Sequence, residues 1–209
     1  MIRLPLVLLG YLFGCFQTSF LYGKLQGIDI RDHGSGNAGT TNALRVMGTR
    51  AGVIVFIGDM GKMILALLLT GWLASFWGEE YYLLTRLYTA LGVVLGHLFP
   101  YYMNFRGGKG IASTGGLMLM LDWRTAVFGF VTFFGLTLLT KYVSLGSIVM
   151  VIGEEILFIV LTVTGKIELG LMPLWEAILI FSAIVAMALI RHSENIGRLL
   201  HGTENKLKL

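Results

Sequence analysis

The chain has 209 residues, of which 56% are hydrophobic and 13% charged, with a net charge of +4 and a mean hydropathy of +0.77. This composition is typical of a protein that crosses a membrane several times, and it excludes an ordinary soluble domain. The scattered basic residues exclude a nucleic-acid-binding surface, and a single cysteine, Cys15, excludes a disulfide framework and a CxxC metal site.

The first apolar stretch, which follows Arg3, has two interpretations. One is a cleaved signal, because Leu12–Cys15 loosely resembles a lipoprotein cleavage site. The other is a retained helix, because the apolar run continues through Phe20 and Tyr22 and so reaches the ~20 residues that a span requires. We expect the retained helix.

Seven apolar segments can be drawn along the chain. They run over Leu4–Gly23, Gly52–Trp77, Tyr81–Tyr101, Ile111–Leu121, Thr125–Thr140, Val143–Thr164 and Leu171–Ile190. Most are long enough to cross a hydrocarbon core of ~30 Å, but the fourth is too short to cross alone, so five or six full spans are the alternative. The sequence predicts an all-α integral membrane protein with seven transmembrane helices, the fourth short, forming one domain over residues 1–209.

Basic residues are unevenly divided between the connectors. One side would carry eleven of them: Lys24, Arg31, Arg45, Arg50, Arg106, Lys109, Lys141, Arg191, Arg198, Lys206 and Lys208. The other side would carry four: Arg3, Arg86, Arg124 and Lys166. Because cytoplasmic loops are enriched in lysine and arginine, we expect the N-terminus outside and the C-terminus in the cytoplasm.

The connector after the first segment is rich in groups that bind anions. It spans residues 31–50 and contains Gly34–Gly48, in which glycines free backbone N–H groups while serine, threonine, asparagine and Arg45 add donors. The alternative, a flexible loop with glycine turns, leaves the polar side chains unexplained. We interpret this loop as a phosphate cradle.

The same loop matches the dinucleotide pattern G-x-G-x-x-G over Gly34–Gly39. No strand leads into it and no acidic residue about twenty positions on closes a βαβ unit, so we interpret the match as coincidence. The sequence also contains no P-loop, no G-x-S-x-G and no H-E-x-x-H. We expect neither a metal nor a cofactor.

A second glycine-rich connector covers residues 104–113. Gly107, Gly108 and Gly110 flank Lys109 at the head of the fourth segment, where backbone N–H groups and an ammonium would form another anion site. The alternative is a turn at the membrane edge with a snorkelling lysine. Two such loops on one face favour the anion site.

The third candidate is the tail, residues 191–204. Helical spacing places His192 and Asn195 on a face that would line a site, and Arg191, Glu194 and Arg198 on a face typical of an ion-paired surface. A solvated amphipathic end is the alternative for the whole tail. Ser144, at the start of the sixth segment, is placed to face the same site.

Several titratable residues lie inside the apolar segments. Asp59 and Lys62 share a helix face and are costly to bury alone, so we expect them to pair or to face a polar cleft. His97 is either a packed, hydrogen-bonded histidine or a ligand. Glu154 and Glu155 are adjacent and point ~100° apart, so they cannot both face one partner.

These motifs together resemble a known family, the bacterial membrane acyl-phosphate:glycerol-3-phosphate acyltransferases. The resemblance covers nearly the whole chain and is carried by Ser35–Asn42, Gly107–Gly110 and Arg191–Ile196. It implies a seven-helix bundle in the bacterial inner membrane, with the active site facing the cytoplasm. The chain departs from the family at Met63, where glycine is usual, which affects local packing.

The resemblance also implies a reaction. A fatty acyl group would pass from acyl phosphate to the sn-1 hydroxyl of glycerol 3-phosphate, giving lysophosphatidic acid and inorganic phosphate, with membrane lipid but no obligate protein partner. The implied catalytic residues are Ser35, Arg45, Lys109 and His192. The implied substrate-binding residues are Asn37, Thr41, Asn42, Gly107, Gly108, Ser144 and Asn195.

An acyl phosphate is a mixed anhydride with a good leaving group, so positioning and charge stabilisation would supply most of the acceleration. We therefore expect direct attack of the hydroxyl on the acyl carbonyl, with either His192 or a substrate phosphate oxygen as the base. The main alternative is a membrane carrier for phosphorylated metabolites. A lipid-phosphate phosphatase or nucleotide-linked transferase lacks its expected signatures here.

Overall fold

The computed structural model describes residues 2–207, and within that range it is helical with no β-strand. The α-helices of this part of the chain are α1 (Arg3–Gly14), α2 (Thr18–Leu25), α3 (Thr40–Ala74), α4 (Tyr82–Leu98), α5 (Ile111–Leu121), α6 (Trp123–Thr140), α7 (Val143–Val163), α8 (Leu174–Ile190) and α9 (Ser193–Leu200). Short 3-10 turns lie at Ile30–Asp32, Glu79–Tyr81 and Tyr101–Met103. The all-α prediction is confirmed.

The first apolar segment is broken into α1 and α2 rather than forming one helix. At the break, the buried Gln17 side chain donates to the carbonyl of Gly14 at 3.3 Å and to that of His97 at 2.9 Å. A carbonyl freed inside an apolar bundle needs such a donor. Taken together, α1 and α2 (Arg3–Leu25) are 23 residues long and apolar enough to cross a membrane.

Helix α3 is interrupted at Gly48, whose φ of 84° and ψ of 179° are not helical. Positive φ costs other residues free energy, so glycine suits this position. The interruption separates a short helical stretch, residues 40–47, from the long apolar part that follows. Arg45 lies on the short stretch and is exposed.

Length and composition support five or six of the seven predicted spans. Five stretches of the described chain are long and apolar enough to cross a membrane, and α8 joins them if it is counted with α9, from which it is bent by 57°. Helix α5 has 11 residues, as the sequence predicted for the fourth segment, and belongs to the shorter apolar helices.

Helices α1 and α4 approach very closely through a glycine face on each helix. A Cβ atom on Gly10 or Gly14 would overlap backbone carbonyl oxygens of α4, and one on Gly92 or Gly96 would overlap carbonyl oxygens of α1. Each pair has four-residue spacing, the small-xxx-small pattern that lets membrane helices pack backbone to backbone. This contact fixes the end of α4, from which the second glycine-rich loop departs.

The end of the bundle away from the glycine-rich loops is held by polar side chains from three helices. Arg3 of α1 donates to Glu176 of α8 at 2.9 Å, and the hydroxyl of Tyr88 of α4 donates to the same carboxylate at 2.7 Å. We call these three residues the outer clamp. It joins α1, α4 and α8 at the opposite end from the loops.

The close contact of α1 and α4 predicts that Gly92→Ala destabilises the fold by roughly 1–3 kcal/mol, because the added methyl group meets backbone of α1 that cannot move aside. Thermal unfolding in detergent measures this. The matched control is Gly61→Ala, since a Cβ there meets nothing within 4 Å and alanine favours the helix. Equal unfolding temperatures for the two variants would contradict the prediction.

Candidate active site

The first glycine-rich loop folds back over the start of α3 through Asn42. The Oδ1 atom of this asparagine accepts from the backbone N–H of Ser35 at 2.8 Å, while its amide donates to the carbonyls of His33 at 2.9 Å and Ile30 at 3.2 Å. Asn42 is almost fully buried. These contacts shape the loop, and the substrate-binding role of Asn42 stays a prediction.

The start of α3 has the features of an anion site. Gly39 precedes the helix without a side-chain cap, so the first backbone N–H groups remain available. The hydroxyl of Thr40 is buried and has no hydrogen-bond partner in the described part of the chain. Asn37 and Thr41 are half-buried beside it, and Ser35 is exposed at the rim. The loop therefore gathers several donors at one helix start.

The second glycine-rich loop runs along the end of α4. The N–H of Gly107 donates to the carbonyl of Leu98 and that of Gly108 to the carbonyl of His97, each at 3.1 Å. A Cβ on Gly107 would overlap the carbonyl oxygen of His97, and one on Gly108 would overlap the imidazole Nε2 of His97. Only glycine allows this approach, which places Lys109 directly ahead of α5.

The other edge of this loop is held by Arg191, at the end of α8. Its guanidinium donates to the carbonyl of Gly107 at 3.0 Å and to that of Gly108 at 3.2 Å. The interpretation of Arg191 as part of an ion-paired surface is therefore wrong, although Glu194 and Arg198 do pair at 3.7 Å. Helical periodicity could not reveal an acceptor 84 positions away.

Lys109 is half-buried and donates to Oδ1 of Asn195 on α9. Burial, together with the nearby charges of Arg198 and Arg191, lowers the pKa of Lys109 to about 8 against the opposing charges of Glu204 and Glu194. Because the ammonium of Lys109 lies among other cations, its positive charge is only partly neutralised. It is accordingly well suited to attract a phosphate.

His192 is buried at the break between α8 and α9, and its Nδ1 lies 2.7 Å from the carbonyl of Ala188. Since a carbonyl only accepts, the proton belongs on Nδ1 and the lone pair on Nε2. Burial lowers the pKa of His192 to about 4, with Lys109 and Arg191 contributing in the same direction. The ring is neutral near pH 7 and can accept a proton at Nε2.

A carboxylate that sequence reasoning missed, Glu204, organises the tail. It accepts from Asn195 at 3.1 Å and from Arg198 at 2.9 Å. A few residues later, the N–H of Leu207 donates to the carbonyl of Lys141 at 2.7 Å, which joins the tail to the connector before α7. No periodicity in the sequence indicated that this polar tail folds against the rest of the protein.

Ser144 lies in the first turn of α7, just after that connector. It is buried, and its hydroxyl has no hydrogen-bond partner within residues 2–207. An unpaired buried hydroxyl is costly unless a ligand or water uses it. The expectation that Ser144 faces the site stays a prediction.

The three motif segments meet at one end of the bundle. Arg31 of the first connector donates to the carbonyl of Met103 at 2.9 Å, and a polar cavity of about 220 Å³ between the two glycine-rich loops is lined by both connectors. The starts of α3, α5, α7 and α9 all lie at this end, so their positive dipole ends add to the basic side chains. The arrangement favours anionic ligands.

Not every predicted residue is drawn into this arrangement. Arg45 is exposed on the short stretch before Gly48 and makes no side-chain hydrogen bond or ion pair with any described residue. Its catalytic role stays a prediction. Within the part of the chain that the structure covers, no three or more histidine, cysteine or acidic side chains cluster closely enough to hold a metal ion.

Comparison with known proteins agrees with this geometry. Residues 4–202 match the family model described as glycerol-3-phosphate acyltransferase. Glycerol-3-phosphate acyltransferase 2 of Thermotoga maritima is 38% identical over 203 residues, which cover 97% of this chain and 95% of the relative. The glycerol-3-phosphate acyltransferase of Aquifex aeolicus is also 38% identical, with 96% and 97% covered.

This chain belongs to the glycerol-3-phosphate acyltransferase family. Two crystal structures of a family member, PlsY, an integral membrane glycerol 3-phosphate acyltransferase, are similar to it at 33% identity, covering 100% of this chain and 96% of theirs. The TM-score is 0.84 for the glycerol 3-phosphate form and 0.81 for the lysophosphatidic acid form. The family predicted from the motifs is confirmed.

The lowered pKa of Lys109 makes anion binding by this family member depend on pH. Its charge is present below pH ~8 and is lost as the pH rises through that value. We expect sulfate, which does not titrate in this range, to bind several-fold more weakly at about pH 9 than at about pH 7. Isothermal titration calorimetry of the detergent-solubilised protein measures the difference.

The control is Lys109→Arg, because a guanidinium keeps its charge throughout this range. The pH dependence should then disappear while some affinity remains. An unchanged pH dependence in Lys109→Arg would assign the titration to another group.

Proposed function

We propose that this protein transfers a fatty acyl group from an acyl phosphate to the sn-1 hydroxyl of glycerol 3-phosphate, giving lysophosphatidic acid and inorganic phosphate. The observation that carries the proposal is the meeting of two glycine-rich anion loops at one end of an apolar bundle, with Lys109 between them and the tail. Family membership and the glycerol 3-phosphate and lysophosphatidic acid forms of PlsY support the acceptor and the product.

The chemistry of the donor fits the same arrangement. Both proposed substrates carry a phosphate, and both glycine-rich loops offer backbone N–H groups with basic side chains nearby. The acyl chain would lie among the apolar helices while its phosphate meets the loops. An acyl phosphate activates its own carbonyl, so the site needs no nucleophilic side chain.

In the proposed mechanism, the sn-1 hydroxyl oxygen attacks the acyl carbonyl and forms the ester bond, and the bond from the carbonyl carbon to the phosphate oxygen breaks. Lys109 and the positive dipole end of α5, which begins just after it, would stabilise charge on the departing phosphate. The hydroxyl proton would pass to Nε2 of His192 or to a substrate phosphate oxygen. Ser144 and Asn195 would place glycerol 3-phosphate.

In this proposal, residues of the first loop bind the phosphate of glycerol 3-phosphate rather than the departing phosphate. Ser35, Asn37 and Thr41 would donate to its oxygens at the start of α3, and Arg45 would add a charge from the short stretch before Gly48. Arg45 is exposed and has no competing partner among the described side chains, which leaves its guanidinium available to a ligand.

The proposed topology follows the basic residues of the connectors. Seven helical segments would cross or enter the membrane, with the N-terminus outside and the loops and tail in the cytoplasm of a bacterial inner membrane. Water-soluble glycerol 3-phosphate would then reach the site from the cytoplasm, and the lipid product would leave between helices. No protein partner is required by this scheme.

The purified protein should form lysophosphatidic acid from glycerol 3-phosphate and palmitoyl phosphate, but not from palmitoyl-CoA, because the second glycine-rich loop is suited to a phosphate leaving group. Thin-layer chromatography of labelled product measures this, and Lys109→Ala should lose turnover while remaining folded. Product from the CoA ester alone would overturn the assignment of acyl phosphate as the donor. No lipid product from folded protein, with uptake of glycerol 3-phosphate into vesicles, would favour a carrier.

His192→Ala tests the base. If Nε2 accepts the hydroxyl proton, kcat should fall roughly 10²–10⁴-fold, the usual contribution of general-base catalysis. Steady-state kinetics with each substrate varied in turn separates kcat from KM. A variant that keeps most of kcat but raises KM would make His192 a binding residue, leaving a substrate phosphate oxygen as the base.

A further inference from the structure

We infer that Asp59, Lys62 and His97 form a buried positioning cluster that holds Lys109 in its working place, an inference that rests on the proposed function. None of the three lies in the glycine-rich loops or the tail. Their exposed fractions are 1%, 4% and 3%, although two apolar helices, α3 and α4, carry them. Burying polar side chains within apolar helices costs free energy, and such side chains usually serve a function.

Lys62 is the centre of the cluster. Its Nζ lies 2.7 Å from Nδ1 of His97, 3.1 Å from a carboxylate oxygen of Asp59 and 2.8 Å from the carbonyl of Phe16 at the break between α1 and α2. Thr18 donates to the same Asp59 oxygen at 3.4 Å. Three acceptors around one nitrogen match the three N–H groups of an ammonium.

This arrangement fixes the imidazole of His97. Because Lys62 donates to Nδ1, the ring proton must lie on Nε2, and the ring cannot flip without leaving Lys62 short of an acceptor. The Nε2 edge is the part of the ring that packs against Gly108. The cluster thus sets both the tautomer and the orientation of the group beneath the second glycine-rich loop.

The cluster supports the chain on both sides of Lys109. Before it, Gly108 rests on the ring of His97 and also approaches the carbonyl of Ala38, whose oxygen would lie 2.9 Å from a Cβ on Gly108. After it, the buried hydroxyl of Ser113, in the first turn of α5, donates to the backbone carbonyl of Asp59 at 3.0 Å. The second loop therefore rests on this cluster and contacts the first loop at Gly108, while α5 bonds the backbone of Asp59.

A role in stability alone would not require the ring edge to face the loop. The outer clamp shows the difference, since it joins α1, α4 and α8 through partly buried polar contacts at the opposite end of the bundle. We assign Asp59, Lys62 and His97 as positioning residues that act through the backbone next to Lys109. They do not themselves contact the proposed substrates.

The test compares His97→Asn with the wild type in detergent, by unfolding temperature, sulfate affinity and acyl transfer from palmitoyl phosphate. Asparagine keeps an oxygen near the place of Nδ1 for Lys62 but removes the ring edge that packs against Gly108. We expect an almost unchanged unfolding temperature, several-fold weaker sulfate binding and kcat/KM lower by about ten- to hundredfold, as for a misplaced catalytic group. Wild-type sulfate affinity and kcat/KM would overturn the inference.

A second variant covers the case in which His97→Asn does not fold. Asp59→Asn combined with Lys62→Met removes both buried charges together, so no charge is left unpaired, and the ring stays but is no longer oriented. It should also lose sulfate affinity and kcat/KM. Full activity of this folded double variant would overturn the inference.

The control is Tyr88→Phe, which removes one hydrogen bond of the outer clamp. It should lower the unfolding temperature without changing sulfate affinity or kcat/KM. If the wild type itself forms no lysophosphatidic acid, the proposed function fails, and sulfate affinity still decides whether the cluster positions Lys109. Equal sulfate affinity in all the folded variants would overturn the inference in that case.

Discussion

The backbone of Gly107 and Gly108 is hydrogen-bonded along both of its edges, and the geometry of the site depends on this. On one edge its N–H groups donate to carbonyls at the end of α4, and on the other edge its carbonyls accept from Arg191. Four contacts on two residues remove most of the freedom of the segment before ligand arrives. A flexible glycine pair becomes a rigid support for Lys109.

Hydropathy predicted the ends of most helices closely. An apolar run and a helix end at the same place because the backbone and the polar side chains return to water there. The predicted Ile111–Leu121 is α5 itself, and Val143–Thr164 differs from α7 by one residue. The break at Gln17 was not predictable. It lies within a continuous apolar run, and the donor that stabilises it bonds a carbonyl 80 positions away.

In the candidate site, too, local sequence patterns predicted some features and not others. Glycines beside a lysine predicted the second loop, and the three-residue spacing of Asp59 and Lys62 predicted their pairing, which the structure confirms at 3.1 Å. Arg191 and the third member of the cluster, His97, depend on contacts between distant segments. Local spacing does not encode such contacts. Glu155 accepts a hydrogen bond from Ser182, whereas Glu154 has no partner among the described residues. The two side chains therefore do not face one partner, as their adjacent positions on a helix predicted.

Gly48 separates the short stretch that carries Arg45 from the long apolar part of α3. Asn42 and Ala43 on that stretch are buried, so the exposed side chain of Arg45 extends from an anchored base. The same molecule thus combines a lysine that is hydrogen-bonded within the site with an arginine that has no partner among the described side chains. The lysine suits a ligand that must be held in one geometry, and the exposed arginine suits one that must first be met in water.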